Sequence, residues 1–188
     1  MCGRYGLDIS FKKILNFYGL DYADLDFSKE KEIFPSSNNL IFDGSKLFYA
    51  KWGFDVSFSK KPLINARAES VNEKITFSKH FKNSRCLIPA TYFYEWKDDG
   101  KPKKTKYLIK VNELDIFSLA GIFRKNEDKI EYLILTTASK GTMKDYHSRM
   151  PVILDRENGA IFLNENNINK NLQFINSVND GNYKFVKI

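Results

Sequence analysis

The chain has 188 residues, 43% of them hydrophobic and 15% aromatic, and carries a formal net charge of +7. That composition fills a core and excludes a disordered chain, and no apolar run reaches the roughly 20 residues of a bilayer-spanning helix. Two cysteines, Cys2 and Cys86, exclude a disulfide scaffold, and His80 and His147 lack the spacing to complete a zinc site with them.

A chain of this size is expected to form one domain over residues 1–188, burying roughly 70% of its unfolded surface. The N-terminus has no charged-then-apolar export pattern, so a cytoplasmic protein is expected, nucleoid-associated if the source is bacterial. The positive charge suits a polyanion such as nucleic acid, although a lysine-rich composition accounts for it equally well.

Ser10 reads as an N-cap, followed by Phe11, Ile14, Leu15 and Tyr18 at helical spacing and by Gly19 as the stop. Asp21 to Lys31 is an acidic surface loop, and Ile33-Phe34-Pro35 an extended piece approaching the centre. Leu40 to Phe42 and Lys46 to Trp52 form a hairpin around Asp43-Gly44. Val56 to Lys61 is a loop, then helices cover Ala68 to Lys74 and Ser78 to Asn83. Arg85 to Lys97 reads as one long strand with Cys86 buried in it.

Asp98 to Lys104 is a charged turn, and strands follow at Tyr107–Val111, Asp115–Arg124 and Ile130–Thr137, with a turn from Asn126 to Lys129. Gly121 marks a close approach of backbone or ligand. A helical turn covers Thr142 to Tyr146, and Val152 to Leu154 is a buried strand. Helices are expected at Gly159–Leu163 and Ile168–Ile175, and an edge strand at Tyr183–Ile188. Strands joined by tight turns, with few helices, define an α+β fold: mostly antiparallel, with a barrel-like core and peripheral helices.

Four polar islands interrupt apolar sequence: Cys2-Gly3-Arg4, Asn65-Ala66-Arg67-Ala68-Glu69, Glu95 within Phe93-Tyr94-Glu95-Trp96, and His147-Ser148-Arg149-Met150-Pro151. Removal of Met1 is expected because Cys2 is small. A chain beginning with cysteine carries an amine and a thiol on adjacent carbons, with reference pKa values of roughly 7.7–8.0 and 8.5. The amine can attack an aldehyde to give a Schiff base, and the thiol can then close a five-membered thiazolidine. A cysteine inside a chain cannot, because its nitrogen is an amide. Glu95, a carboxylate among aromatics, is costly when ionised; a raised pKa would make it a proton donor or acceptor.

Together with Met1 and Trp52-Gly53, these islands resemble the SRAP family, the SOS-response-associated peptidases. The resemblance runs from the first residue to about Leu154 and implies a sensor of abasic sites in single-stranded DNA that crosslinks through its N-terminal cysteine. It implies that Cys2 attacks the ring-opened sugar aldehyde, Glu95 relays protons, His147 assists ring opening as a general acid, and Asn65 holds the amine or sugar. Arg4, Arg67 and Arg149 are expected to grip flanking phosphates, and Trp96 to support the site or stack on a base. Glu69 reads equally as a structural partner of Arg67, and His80 as a solvated surface residue. The chain departs from the family pattern at Thr91-Tyr92, at Ser148 and at Phe58. Phe58 stands where a tryptophan is common and is expected to act as a smaller wedge in the DNA.

No cofactor or metal is expected, and a monomer is the default. Two other readings stay open: a cysteine peptidase using the Cys2 thiol with Glu95 and His147, and a non-catalytic binder of single-stranded DNA.

Overall fold

Short apolar runs, some alternating with polar residues, build the framework of this chain as strands. The computed structural model describes residues 2–126, 128–178 and 182–188. In chain order these hold β1 (Tyr5–Leu7), α1 (Phe11–Tyr18), β2 (Glu30–Ile33), β3 (Asn38–Phe42), β4 (Leu47–Trp52), β5 (Asn65–Arg67), α2 (Ile75–Asn83), β6 (Arg85–Ala90), β7 (Tyr92–Lys97) and β8 (Thr105–Val111). Then come β9 (Phe117–Lys125), β10 (Ile130–Ala138), β11 (Arg149–Pro151), β12 (Ile153–Leu154), α3 (Arg156–Asn164), α4 (Ile168–Ser177) and β13 (Tyr183–Lys187).

Two sheets carry these strands. In the larger, β10, β4, β3, β6 and β9 form a ring that closes through a β9–β10 pairing, so the barrel-like core expected from the sequence is present. Within the ring every pairing is antiparallel except β10 with β4, and β5 joins β10 from outside the ring, also in parallel. The second sheet is open, in the order β13-β8-β7-β1-β2. The hydroxyls of Tyr5 on β1 and Tyr132 on β10 meet at 2.8 Å, tying the open sheet to the barrel. Trp52, fully buried, packs edge-on against Tyr5 and donates its indole N–H to the Ile64 carbonyl.

The expected strand over Arg85–Lys97 is in fact two strands in different sheets. At Thr91 the chain leaves the barrel: its N–H donates to the Gly6 carbonyl at 2.8 Å, and its hydroxyl accepts from the Asp8 N–H at 3.1 Å. An uninterrupted apolar run conceals such a corner, because both strands are buried on either side of it. The helix expected over Ala68–Lys74 shrinks to one 3-10 turn at Ala68–Ser70, and α2 starts earlier than expected, at Ile75. Ser10 has the extended backbone of an N-cap but makes no side-chain cap bond. Gly19 does end α1, in the left-handed conformation at φ +68°. The hairpin at Asp43-Gly44, the 3-10 turn at Gly141–Asp145 and the edge position of β13 follow the sequence pattern. The turn expected over Asn126–Lys129 includes Glu127, which lies outside the described residues, as does Met1.

Gly121 resolves as a backbone approach. A Cβ there would stand 2.7 Å from the Leu133 carbonyl and 2.4 Å from Ile88 Cδ1. Gly121→Ala should therefore lower the unfolding free energy by about 1–3 kcal/mol, as overpacking in a filled core does. Urea titration would show this as a reduced midpoint; an unchanged midpoint would contradict the tight β6–β9–β10 contact.

Candidate active site

Cys2 lies just before β1 and is fully buried. Asn65 Nδ2 donates to the Cys2 carbonyl at 3.0 Å, so β5 of the barrel sheet holds the start of the chain. The Cys2 thiol points toward the Arg4 carbonyl at 3.7 Å. Burial pushes that thiol far above its ordinary range, and the charge of Glu95 adds to the effect. Asn65 Oδ1 is buried without a hydrogen-bond partner, leaving an acceptor beside Cys2.

Glu95 follows from strand alternation. On β7, Phe93 is fully buried in the core, and Glu95 two residues on shares its face, with 2% exposure. Burial raises its pKa above the ordinary 4.5, while the charge of His147 pulls it down. Trp96 belongs to the other face of β7, with Tyr94, and Lys106 Nζ sits 4.4 Å from the Tyr94 ring centre and 5.7 Å from that of Trp96.

His147 sits between the Gly141–Asp145 turn and β11. The Arg149 N–H donates to its Nδ1 at 2.9 Å, and the Arg149 carbonyl lies 3.1 Å from the same nitrogen. A neutral His147 that accepts the Arg149 N–H at Nδ1 carries its proton on Nε2. Tyr146 anchors this loop to the open sheet. Its ring stacks on Phe185 of β13 at 3.8 Å and 4°, and meets Tyr107 of β8 edge-on at 4.8 Å.

The arginines differ in situation. Arg149 makes a two-point pair with Glu69, at 2.6 and 2.8 Å, and donates to the Thr136 carbonyl. Glu69 is therefore the partner of Arg149, not of Arg67. Arg67 shares the face of β5 with Asn65, is exposed and makes no ion pair among the described residues. Arg4 lies 4.0 Å over the Phe34 ring and 3.6 Å from Glu32.

The fold thus joins Cys2 to Asn65 by a hydrogen bond, sets Glu95 close enough to act on the Cys2 thiol by its charge, and sets His147 close enough to act on Glu95, with Arg149 linked to His147 through backbone. Phe58 is 71% exposed on the loop after Phe54, and no described contact joins it to Cys2. His80 corrects its sequence reading: it is half-buried edge-on against Phe54, and burial lowers its pKa. Sequence reasoning missed the Tyr146–Phe185 stack and the Glu32–Lys106 pair. Adjacency to His147 was the available signal for the first; nothing local marks the second. Among the described residues no cluster of His, Cys, Asp and Glu could hold a metal ion, and no helix is long and apolar enough to cross a membrane.

A buried Cys2, held by the Asn65 amide near the Glu95 carboxylate, is carried by a barrel and an open sheet. The family model for SOS response associated peptidase (SRAP) matches residues 1–188, and this chain belongs to that family. It is 35% identical over 183 residues to the abasic site processing protein YoqW of Bacillus subtilis, covering 89% of this chain and 82% of that one. It is 30% identical over 175 residues to the abasic site processing protein YedK of Escherichia coli, covering 84% and 77%. A solved protein from Bacteroides thetaiotaomicron shares the fold at a TM-score of 0.86 with 21% identity, covering 100% of this chain and 92% of that one.

The raised pKa of Glu95 has a measurable sign. The native state holds this proton more tightly than the unfolded chain does, so the contribution to stability is full below the ordinary 4.5 and is lost as pH rises through the raised value. Glu95→Gln, which is never charged, should be more stable than the parent near pH 7. The two urea midpoints should converge near pH 4. Equal midpoints at neutral pH would contradict the burial of a charged carboxylate.

Proposed function

We propose that this protein processes abasic sites in single-stranded DNA by covalent capture on Cys2, once Met1 is removed. The observation that carries the reading is the burial of Cys2 beside Glu95 with its carbonyl held by Asn65. The ring-opened deoxyribose presents an aldehyde. The uncharged Cys2 amine attacks it, and loss of one water gives the imine. The thiol then adds across the carbon–nitrogen double bond, its proton passing to nitrogen, and closes the thiazolidine.

The residues divide the work. Asn65, through its unpartnered Oδ1, accepts a hydrogen from the Cys2 amine and fixes the direction of its lone pair. Glu95, with its raised pKa, carries protons between amine, carbinolamine and departing water. His147, its Nδ1 held by the Arg149 N–H, presents the Nε2 proton to the sugar oxygen for ring opening. Arg67 and Arg4 take flanking phosphates, and Arg149, its charge balanced by Glu69, orients the His147 loop. Phe58 wedges between bases, and Trp96 supports the sheet from its outer face.

The same burial argues against a thiolate peptidase. An attacking thiol must ionise, and the surroundings of the Cys2 thiol hold it protonated. An amine-first route needs no thiolate at the opening step.

Intact mass spectrometry after mixing with an oligonucleotide bearing one abasic site tests the reading. The expected product is protein lacking Met1 plus DNA minus water, absent in Cys2→Ala. The yield should fall with pH below the amine's reference pKa of roughly 7.7–8.0, because the protonated amine has no lone pair. No adduct from a chain shown to begin at Cys2 would overturn it.

A further inference from the structure

We propose that Glu32 is a built-in competitor for a DNA phosphate, and that Arg4, Lys106 and Phe34 form a nucleotide subsite on the outer face of the open sheet. The proposal rests on the single-stranded DNA reading above and adds a surface to it. Arg4 pairs across from Tyr94, its carbonyl accepting the Tyr94 N–H at 3.0 Å, so it sits on the β7 face opposite Glu95. Lys106 faces Trp96 across β7–β8 and shares that outer face.

Glu32 Oε1 binds Lys106 Nζ at 2.7 Å and stands 3.6 Å from Arg4 Nε. Arg4 Nε is itself buried with no hydrogen-bond partner, so its charge is balanced there but its donor is not satisfied. The Arg4 guanidinium lies 4.0 Å over Phe34, a ring 48% exposed. Two cations converging on one oxygen anion, beside an exposed ring, match the chemistry of a nucleotide: phosphate between the cations and base on the ring. A carboxylate in the phosphate's place keeps both cations ordered and lowers affinity for any strand. Retention then depends on covalent capture more than on charge.

The test uses an undamaged single-stranded oligonucleotide, so that it reads the subsite independently of crosslinking. Glu32→Gln should bind it about 3- to 10-fold tighter at low salt, with a log Kd against log salt slope steeper by about 0.7. Lys106→Gln should weaken binding, and in that background most of the Glu32→Gln gain should vanish, as coupled partners require. Unchanged or weaker binding by Glu32→Gln would overturn the proposal. So would a gain that survives intact in the Lys106→Gln background, or salt-independent binding by both proteins. Failure of the parent to crosslink an abasic strand, with the Glu32→Gln gain present, would instead overturn the capture reading alone.

Discussion

The Asn65 hydrogen bond to the Cys2 carbonyl is the constraint on which the site depends. Chain termini usually fray, and a reactive amine on a frayed end samples many directions. Here the first residues are drawn into a sheet. β1 lies between β2 and β7, Tyr5 is bonded to Tyr132 of the barrel, and Asn65 reaches across from β5. The entropy of ordering the terminus is offset by burial of Tyr5, Leu7 and Cys2 in the common core.

The site lies where two sheets meet, and each contributes what the other lacks. The barrel sheet brings Asn65 and Arg67 on β5 and Arg149 on β11. The open sheet brings Glu95 on β7. His147, on a loop of the barrel sheet, is tied to the open sheet by Tyr146, stacked on Phe185 and braced by Tyr107. The terminal strand β13 is thereby part of the site's support, although it contributes no reacting group. Burial of Glu95 and Cys2 raises the pKa of both, which favours the neutral carboxyl and thiol over their ionised forms.

Much of this was legible in the sequence because the local signals agree with the global fold. The Asp43-Gly44 hairpin, the Gly19 stop and the β-branched run of β10 each point one way. The four polar islands stood out because each interrupts apolar sequence. The corner at Thr91 was not legible, since strands buried on both sides read as one run and only the Gly6 and Asp8 backbones reveal the turn. The pairing of Glu69 with Arg149 was hidden for a related reason. Arg67 is nearer in sequence, but strand geometry sends it outward, and the parallel β5–β10 register brings β11 beside Glu69. Glu32 and Lys106 are 74 positions apart and meet only through sheet order.

The central claim is that one residue supplies both nucleophiles. Proteolysis of the crosslinked protein, followed by tandem mass spectrometry of the DNA-bearing peptide, tests it most directly. The account predicts a peptide that begins at Cys2, with one deoxyribose carbon bonded to both the Cys2 nitrogen and the Cys2 sulfur, and the thiol closed to alkylation. A deoxyribose remnant on a lysine, or on a Cys2 whose thiol still alkylates, would contradict it.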